Sequence, residues 1–465
     1  MAPTPKRSPT SAAPSLPRGP HSLSREQVLN DQRVRLLTAM VDAIGEDGYR
    51  TTTIANVIRR AGVSRKTFYV HFANKQECFL AAYDAITAVG MSRVTRAYRD
   101  AEGWPGRVEA AIRVFFESAI ESPAAVRLGL IEIGAAGAAG IERREQAMTQ
   151  FEHFIRDGLE LAPGSGTVPD TVPRAVVGGL NKVLYTHVLN GQHAKLLKLI
   201  PDLVSWATAY YPAPAALLAS HQAGSPGQAQ TAAGLIGGRA PGTLFPQTLS
   251  NGRRRLLPGA GHVSRSFVVH SQRERILDAV ANLSAAVGYA TLTIEEIVGE
   301  AAVSLEAFYE HFKSKEDAFL VAYELGHIKG LGIVERAFGA EADWRSGVRE
   351  AISALLGYLA SEPSFAQLAL LDALIATPVS AERSQQGVTL YAQMLLPGFE
   401  QAPKNRIPPP ITIEAIAGGV SELCFHYAVQ GRIRELPEIA IDTTYISLAP
   451  FIGAKQAARV ATEGA

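Results

Sequence analysis

Apolar residues recur at helical spacing in the first folded part of the chain. Val34, Leu37, Val41 and Ile44 lie three or four positions apart, so they share one face of a first helix that Gly48 ends. Residues that cap helices (Thr, Ser and Asn) stand before three further segments of this kind. These segments predict a second helix at 54–60, a third at 65–71 and a fourth after residue 74, with a tight turn at 61–63.

Alanine-rich helical patterns continue to about residue 211, and no run alternates strictly enough to predict a strand. The predicted fold class is therefore all-α. Residues 213–263, rich in Ala, Gly, Pro and Gln, are expected to be a flexible linker with a random-coil reach of about 40 Å. Residues 1–24, rich in Pro, Ser and Arg, are expected to be a disordered basic arm. A minor-groove arm and a solubilising tail both fit that composition.

The chain contains a long internal repeat. Residues 32–83 and 272–323 align without a gap at an offset of 240, with 22 of 52 positions identical. Trp104, Pro123 and the pair Gly178-Gly179 also find the same residue types 240 positions later. Such a period has the length of a whole protein, so the sequence predicts two fused copies of one unit.

The net charge of +1 hides a difference between the two copies. Residues 25–77 contain nine Lys and Arg against six Asp and Glu, whereas residues 265–317 contain five against nine. Cys78 and Cys424 lie far apart, without the spacing of a disulfide framework or a zinc site, which suits a reducing compartment. No apolar run resembles a signal peptide or a membrane span, so a cytoplasmic protein is expected.

The second and third predicted helices have the spacing of a helix-turn-helix, which places its second helix in the major groove of DNA. The residues of the third helix that are expected not to pack are Arg65, Lys66 and Thr67, which are cationic or small, as reading base edges requires. Three nearby side chains suit flanking phosphates: Tyr69, His71 and Lys75. Taken alone, the pattern fits a solvated helix end equally well.

Residues 48–83 resemble the DNA-binding domain of the TetR/AcrR family of bacterial transcriptional regulators. The matching markers are Gly48-Tyr49, Thr52-Thr53-Ile54, Ala61-Gly62-Val63-Ser64, Phe68-Tyr69, His71-Phe72 and Lys75. The resemblance implies a three-helix DNA-reading head in each half, followed by a helical domain that binds a ligand and dimerises. It implies double-stranded operator DNA and a small-molecule effector as partners. Family members usually repress transcription until the effector moves the heads apart, so a ligand-responsive repressor is expected.

The predicted DNA contacts follow from the residue chemistry and the resemblance together. In the first head they are Thr53, Ser64, Arg65, Lys66, Thr67, Tyr69, His71 and Lys75. In the second head they are the retained residues Ser304, Tyr309, His311 and Lys315. No catalytic residue, cofactor or metal ligand is predicted, because the sequence has no hydrolase, P-loop or paired-histidine motif.

The second head departs from the first at the recognition helix. Leu305 and Glu306 replace Arg65 and Lys66, and a carboxylate near phosphate is repulsive, which favours a weakened head. However, the retained polar residues still suit phosphate, and Glu306 can accept a hydrogen bond from cytosine, which favours a working head of different preference. The first head is therefore predicted to be the main DNA reader. The alternative is a scaffold protein in which the second head, or both heads, serve only dimerisation.

The resemblance also assigns the pairing helices to residues 175–189 with 203–211, and to residues 413–429 with 441–452. The simplest arrangement pairs the two halves of one chain as a pseudo-dimer, and two chains that pair half to half also fit. Aromatic residues at helical spacing are interpreted as core, so pocket residues are not identified. The predicted domains are an arm at 1–24, a head at 25–77, a regulatory domain at 78–212, a linker at 213–263, a second head at 264–317, a second regulatory domain at 318–454 and a tail at 455–465.

Overall fold

The computed structural model describes residues 24–160, 169–210 and 265–463. Within these segments the chain forms helices and connecting turns without a β-strand, so the prediction of an all-α fold is confirmed. None of the helices in these segments combines the length and the apolarity needed to cross a lipid bilayer. The predicted arm, apart from its last residue, and the predicted linker lie outside the described residues.

The first half begins with the predicted head helices, whose bounds match the sequence pattern to within one residue at the turn. The helices are α1 Arg25–Asp47, α2 Ile54–Ala61, α3 Arg65–His71, α4 Lys75–Asp100, α5 Trp104–Glu121, α6 Pro123–Val126, α7 Ala138–Glu160, α8 Thr171–Leu189 and α9 Ile200–Ala207. A π-helical turn, Arg127–Glu132, and a 3₁₀ turn, Ile133–Ala136, join α6 to α7, and a second 3₁₀ turn, His193–Leu199, precedes α9.

The second half repeats this order. Its helices are α10 Arg265–Val287, α11 Ile294–Ala301, α12 Leu305–His311, α13 Lys315–Gly339, α14 Trp344–Ser361, α15 Pro363–Gln367, α16 Ala373–Ile375, α17 Pro378–Ala392, α18 Gly398–Gln401, α19 Ile411–Val429, α20 Ala440–Ile452 and α21 Ala454–Thr462. A π-helical turn, Leu368–Asp372, again follows the short helix that begins at Pro363. The counterparts of α1 to α9 each begin 240 residues later, so the repeat spans both halves from the head to the last pairing helix.

The chain divides into two compact units. The described residues of the first are 24–89 and 122–143, and those of the second are 90–121 and 144–463, with the gaps given above. The second unit therefore contains α8 and α19 together with the whole second head. The predicted domain limits, which separate each head from its regulatory domain, stay predictions.

Each head is built around aromatic residues that both copies keep. Phe68 is fully buried and Phe72 is 2% exposed, and their ring centroids lie 5.8 Å apart. In the second head Phe308 and Phe312 have the same exposures and the same 5.8 Å spacing. Because these residues are apolar in both copies, their burial holds three short helices together in each head whatever the surface charge.

Helices α8 and α19 pack closely in the second unit because glycines line their contact. A Cβ atom added at Gly178 would lie 2.7 Å from Glu422 Cγ and 3.2 Å from the carbonyl oxygen of Gly418. A Cβ atom at Gly418 would lie 2.9 Å from Lys182 Cγ and 3.1 Å from the carbonyl oxygen of Gly178. These contacts are nearly the same when the two halves are exchanged. Helices α8 and α19 are thus related by a local pseudo-two-fold axis that passes between Gly178 and Gly418.

The chain around this contact is deeply buried. Trp206 of α9 is 1% exposed and lies against Gly179, where an added Cβ atom would be 3.0 Å from Trp206 Cζ2. Hydrogen bonds also join the halves; among them, Thr171 Oγ1 donates to Asp442 Oδ2 at 2.8 Å, and the Tyr445 hydroxyl donates to the Tyr210 carbonyl oxygen at 2.6 Å. The structure therefore pairs the two halves within one chain.

The segment 455–465, interpreted from sequence as a tail, differs from that prediction. Residues 454–462 form α21, with Ala457, Ala458, Val460 and Ala461 buried. The sequence signal is weak because the buried face consists almost entirely of alanine, which contributes little apolar area.

The glycine contact gives a first prediction. We expect Gly418→Leu to lower the free energy of unfolding by several kcal/mol, since overpacking a tight contact typically costs about 1–3 kcal/mol and here two helix backbones must separate. The control is Gly90→Leu on α4, where an added Cβ atom meets no neighbour within 4 Å. The control should keep or raise stability, because leucine favours helix over glycine by up to about 1 kcal/mol. Thermal unfolding of both variants decides it, and equal losses would contradict the packing argument.

Candidate nucleic-acid interface

The turn between α2 and α3 sets the position of the exposed helix in the first head. Gly62 ends α2 in the left-handed region, at φ 63° and ψ 35°, which glycine adopts without a steric penalty. Its amide donates to the carbonyl oxygen of Ile58, and so does the amide of Val63, at 3.2 Å. Ser64 then caps α3 by accepting the amide of Thr67 at 3.0 Å. The backbone of the turn is therefore fixed by hydrogen bonds.

Helix α3 buries one face and exposes the other. Phe68 is buried, whereas Arg65, Lys66, Tyr69 and Val70 are exposed, with Tyr69 47% and Val70 61% exposed. The Arg65 guanidinium lies 5.9 Å from the centroid of the Tyr69 ring, near the limit of a cation–π contact. The structure thus brings the predicted cationic side chains together on one solvent-facing surface at the start of the helix, which an insertion into a major groove requires.

The predicted hydroxyl contacts serve the local backbone. Thr53 caps α2 by accepting the amide of Asn56 at 3.2 Å, and Ser64 caps α3. The Ser64 and Thr67 hydroxyl oxygens are 2.9 Å apart. Thr53 and Ser64 are exposed and Thr67 is half-buried. Their role toward DNA stays a prediction, and the structure shows that each also orders a helix start.

Lys75 and His71 hold the head together. Lys75 Nζ donates to the carbonyl oxygens of Tyr49 at 2.8 Å and Thr52 at 3.1 Å, and it lies 4.2 Å from the centroid of the Tyr49 ring. Burial lowers the pKa of Lys75. His71 Nε2 lies 3.3 Å from Gln32 Oε1, and burial, followed by the charge of Arg33, lowers the pKa of His71. Their predicted phosphate contacts would have to be made from side chains that already bind the protein.

Other basic residues of the first head differ in how far they are neutralised. The exposed residue Arg59 adds positive charge at the end of α2. Arg60 pairs with Glu46 at 2.8 Å and lies 3.6 Å from Asp47, and the hydrogen bond that Arg60 donates to Glu46 raises the pKa of Arg60. Arg35 pairs with Asp31 at 2.8 Å and donates to the Ala61 carbonyl oxygen at 3.0 Å. Arg65 and Lys66 are therefore the cations that the head directs outward from α3.

The second head keeps the frame and changes the surface. Ser304 caps α12, as its hydroxyl accepts the amide of Ala307 at 3.1 Å. Lys315 Nζ donates to the carbonyl oxygens of Tyr289 at 3.0 Å and Leu292 at 2.6 Å. Tyr309 is 55% exposed, and His311 is half-buried with a pKa that burial lowers. The four retained residues thus lie where their counterparts lie in the first head.

The exposed positions of α12 carry different chemistry. Leu305 is 45% exposed, and Glu306 and Glu310 are exposed beside it. Glu296, one of the nine acidic residues within 265–317, accepts the amide of Thr293 at 2.8 Å in a capping box. The hydrogen bond from Thr293 lowers the pKa of Glu296. Glu306 and Glu310 are therefore the carboxylates on the solvent face of α12.

Each head is also held by a carboxylate from the π-helical turn that follows it. In the first unit the Tyr49 amide donates to Glu132 Oε2 at 3.1 Å. In the second unit the Tyr289 amide donates to Asp372 Oδ1 at 3.3 Å. Sequence reasoning missed these residues, although Glu132 and Asp372 stand 240 positions apart and are acidic in both copies. That shared acidity was the available signal.

The comparison with known families now decides the identity of the two heads. The model for bacterial regulatory proteins of the tetR family matches residues 36–82 and again residues 276–322, which contain the helix-turn-helix of each head. Each head is a tetR-family DNA-binding domain, and the chain carries two of them in tandem. The copy with the acidic helix α12 is one of the two.

Two curated relatives match parts of the chain. One is the uncharacterized HTH-type transcriptional regulator YerO of Bacillus subtilis, 45% identical over 77 residues, which are 17% of this chain and 27% of that protein. The other is the HTH-type transcriptional activator FasR of Mycolicibacterium smegmatis, 31% identical over 88 residues, which are 19% of this chain and 40% of that protein. The chain thus spans less than half the length of either relative.

Solved structures include the fatty acid degradation regulator FadR from Bacillus halodurans. Its similarity covers 39% of this chain and 96% of the FadR chain, with 14% sequence identity and a TM-score of 0.36.

The turn gives a second prediction, which compares the two heads directly. Ala302 occupies the position of Gly62 and adopts φ 51°, a left-handed conformation that costs a non-glycine residue about 1–2 kcal/mol. We expect Ala302→Gly to raise the free energy of unfolding by up to about 1 kcal/mol, since glycine's greater freedom in the unfolded chain offsets part of the relief. Gly62→Ala should lower it by a similar amount. Denaturant unfolding of the two variants checks both signs, and a stabilising Gly62→Ala would contradict the analysis.

Proposed function

We propose that the protein is a sequence-specific DNA-binding transcriptional regulator, with the first head as the main DNA reader. The observation that carries this proposal is the exposed surface of α3, where Arg65 and Lys66 project from a helix whose back is packed on a buried aromatic core. Arginine and lysine are the side chains that most often read guanine and contact phosphate. Tyr69, on the same surface, supplies a phenol that can bind a flanking phosphate.

The second head serves this regulator as a weaker or differently specific reader. Its fold and its TetR-family match support a DNA-facing position, whereas Glu306 and Glu310 oppose phosphate binding there. The operator should then be asymmetric, because the two recognition helices differ at their exposed positions. The alternative function, in which the second head is only part of a dimerisation scaffold, is favoured by those same two carboxylates.

A cavity in the second regulatory domain is our candidate effector site. It has a volume of about 120 Å³ and lies among α13, α14, α17 and α19, where apolar side chains line it, including Leu356, Leu370, Val388, Leu395 and Val420. A mainly apolar lining with a few polar groups is the usual character of a small-molecule site, so the cavity supports a ligand-responsive regulator.

Two lining residues suggest the chemistry of the effector. Among the described residues, His327 Nε2 and Thr443 Oγ1 are buried and make no hydrogen bond. Burial lowers the pKa of His327, so its ring is neutral at neutral pH. The ring stacks on Tyr323, with centroids 5.8 Å apart and planes 9° apart, which fixes its orientation. We propose an effector with a largely apolar body and an uncharged polar group that bonds to this imidazole or hydroxyl.

The cavity also has a path to the second head. Leu370 lines the cavity from the π-helical turn Leu368–Asp372, and Asp372 of the same turn accepts the Tyr289 amide. Burial raises the pKa of Asp372 to about 6, with the bond from the Tyr289 amide opposing the rise, so the group is mostly ionised at neutral pH. A ligand that displaces Leu370 would shift Asp372 and with it the second head. Such a shift would change the fit to operator DNA, as expected of a repressor released by its effector.

The DNA-reading role gives a third prediction. We expect Arg65→Ala with Lys66→Glu to reduce specific DNA affinity at least 100-fold and to lower its salt dependence, because base-edge and phosphate contacts are both lost. Glu306→Ala in the second head should leave affinity intact or improve it. Fluorescence anisotropy on DNA that flanks the protein's own gene measures both, with circular dichroism as the folding control.

A second pair of variants tests whether the two heads contribute equally to DNA affinity. Tyr69→Ala and Tyr309→Ala remove equivalent phenols from the two heads. Greater loss from Tyr69→Ala supports the first head as main reader. Equal losses would show two equivalent heads and overturn that assignment.

The candidate effector site gives a fourth prediction. Val388→Trp should fill the cavity and abolish the fluorescence increase of the apolar dye N-phenyl-1-naphthylamine, while the helical circular dichroism signal stays that of the parent protein. The matched control is Val379→Trp on the same helix, at a position that is 44% exposed. The control should keep dye binding. Dye binding that survives Val388→Trp would place the effector elsewhere.

A further inference from the structure

The two halves carry opposite charges at one equivalent position of the pairing helices. Lys182 on α8 and Glu422 on α19 stand 240 residues apart. Lys182 lies against Gly418 of the second half, and Glu422 lies against Gly178 of the first half. The glycines are identical in both halves, so close backbone approach does not distinguish a partner. Lys182 and Glu422 carry opposite charges at equivalent positions, and both lie in the contact between α8 and α19.

Glu422 reaches two arginines of the first half. Its carboxylate, 5% exposed, binds Arg144 through two nitrogens at 2.5 and 3.2 Å, and Arg174 Nη2 at 3.2 Å. Arg174, also 5% exposed, pairs in addition with Glu145 at 2.5 Å and Glu152 at 3.0 Å. These are interactions of buried charges, in which losing one partner leaves the other unpaired in a low-dielectric interior.

Further bonds complete this ionic cluster. His426 Nδ1 of the second half lies 2.7 Å from Glu145 Oε2. Burial opposes the charge of Glu145, but the bond with His426 and the charges of Arg174 and Arg144 outweigh it and lower the pKa of Glu145. Burial raises the pKa of Glu152, and Arg174 offsets only part of that rise.

Lys182 meets the opposite environment across the pseudo-two-fold axis. Its ammonium donates to Gln385, which stands where Glu145 stands in the first half. Burial lowers the pKa of Lys182, and the charge of Glu414 works against that fall. Glu414 is the counterpart of Arg174, and Ser384 is the counterpart of Arg144. Lys182 thus feels the Glu414 carboxylate of the second half, whereas Glu422 binds two arginines of the first half.

We infer that the Lys182 and Glu422 charges make this surface select an unlike half as its partner. In a pair of two second halves, Glu422 would face Glu414 and Gln385, with a serine in place of Arg144. In a pair of two first halves, Lys182 would face Arg144, Arg174 and Glu145, and the two arginines would lose the Glu422 carboxylate that binds them both. Only the pairing of a first half with a second half gives these arginines the Glu422 carboxylate and keeps Glu422 away from Glu414. The kind of partner that fits this surface is therefore the other half of the chain, not a second copy of the same half.

The inference predicts that charge reversal changes the partner. Lys182→Glu gives the first half a carboxylate that suits the arginines of another first half, and Glu422→Lys gives the second half an ammonium that suits Glu414 of another second half. The full-length double variant Lys182→Glu/Glu422→Lys keeps composition and net charge and should prefer like pairs. Light scattering at micromolar protein should report the single-chain mass of 49.6 kDa for the parent and twice that mass or more for the double variant.

The control uses a second pair of equivalent positions. Lys198 and Glu438 also stand 240 residues apart with opposite charge, and both are exposed. Lys198→Glu/Glu438→Lys makes the same chemical exchange outside the buried contact and should keep the single-chain mass. A double variant at 182 and 422 that also keeps this mass and the parent's unfolding midpoint would overturn the inference.

Circular dichroism separates a change of partner from a failure to fold. If the double variant loses its helical signal, Lys182→Gln/Glu422→Gln is refolded from denaturant at high concentration beside the parent protein. Loss of charge selection should then give a mixture of single chains and larger assemblies, whereas the parent returns as single chains. A neutral variant that refolds only to single chains would likewise overturn the inference.

Discussion

The close contact between α8 and α19 is the constraint on which the regulatory part of the second unit depends. Two helix backbones meet at Gly178 and Gly418 with no room for a side chain, so their approach distance is fixed by covalent geometry rather than by adjustable packing. The contact buries Trp206 and brings Glu422 against Arg144. Because it sits on a pseudo-two-fold axis, every position on one side has a counterpart position on the other.

Duplication of one unit in a single chain has allowed the halves to diverge at such counterparts. A homodimer must place the same residue on both sides of its axis, whereas this chain places Lys182 on one side and Glu422 on the other. The heads follow the same rule: Phe68 and Phe308 keep one fold, while Arg65 and Leu305 face solvent with different chemistry. Apolar packing positions are preserved, and charged positions, some exposed and some buried in the contact, carry the differences.

The proposed effector site lies beside a segment that contacts the second head. The cavity and the turn that holds Tyr289 share the short segment Leu368–Asp372, so a ligand and the second head act on the same few residues. A short, irregular helical turn suits such a role, because displacing it costs less than moving a long packed helix. In the function proposed above, the first head, whose helix α3 carries the exposed cations, supplies DNA affinity and the second half supplies the response to the effector.

The sequence by itself determined the repeat, the all-α class and the head helices, since apolar periodicity, caps such as Ser64 and the turn glycine Gly62 are local signals. It also identified the exposed surface of Arg65 and Lys66, because the cationic side chains of a helix whose other side buries Phe68 must face solvent. Only the tertiary structure decided that Lys75 binds backbone carbonyls, that 454–462 packs as a helix, and that Glu422 lies between two arginines. Those contacts join residues from 23 to 278 positions apart, and no local pattern encodes which distant groups burial will bring together.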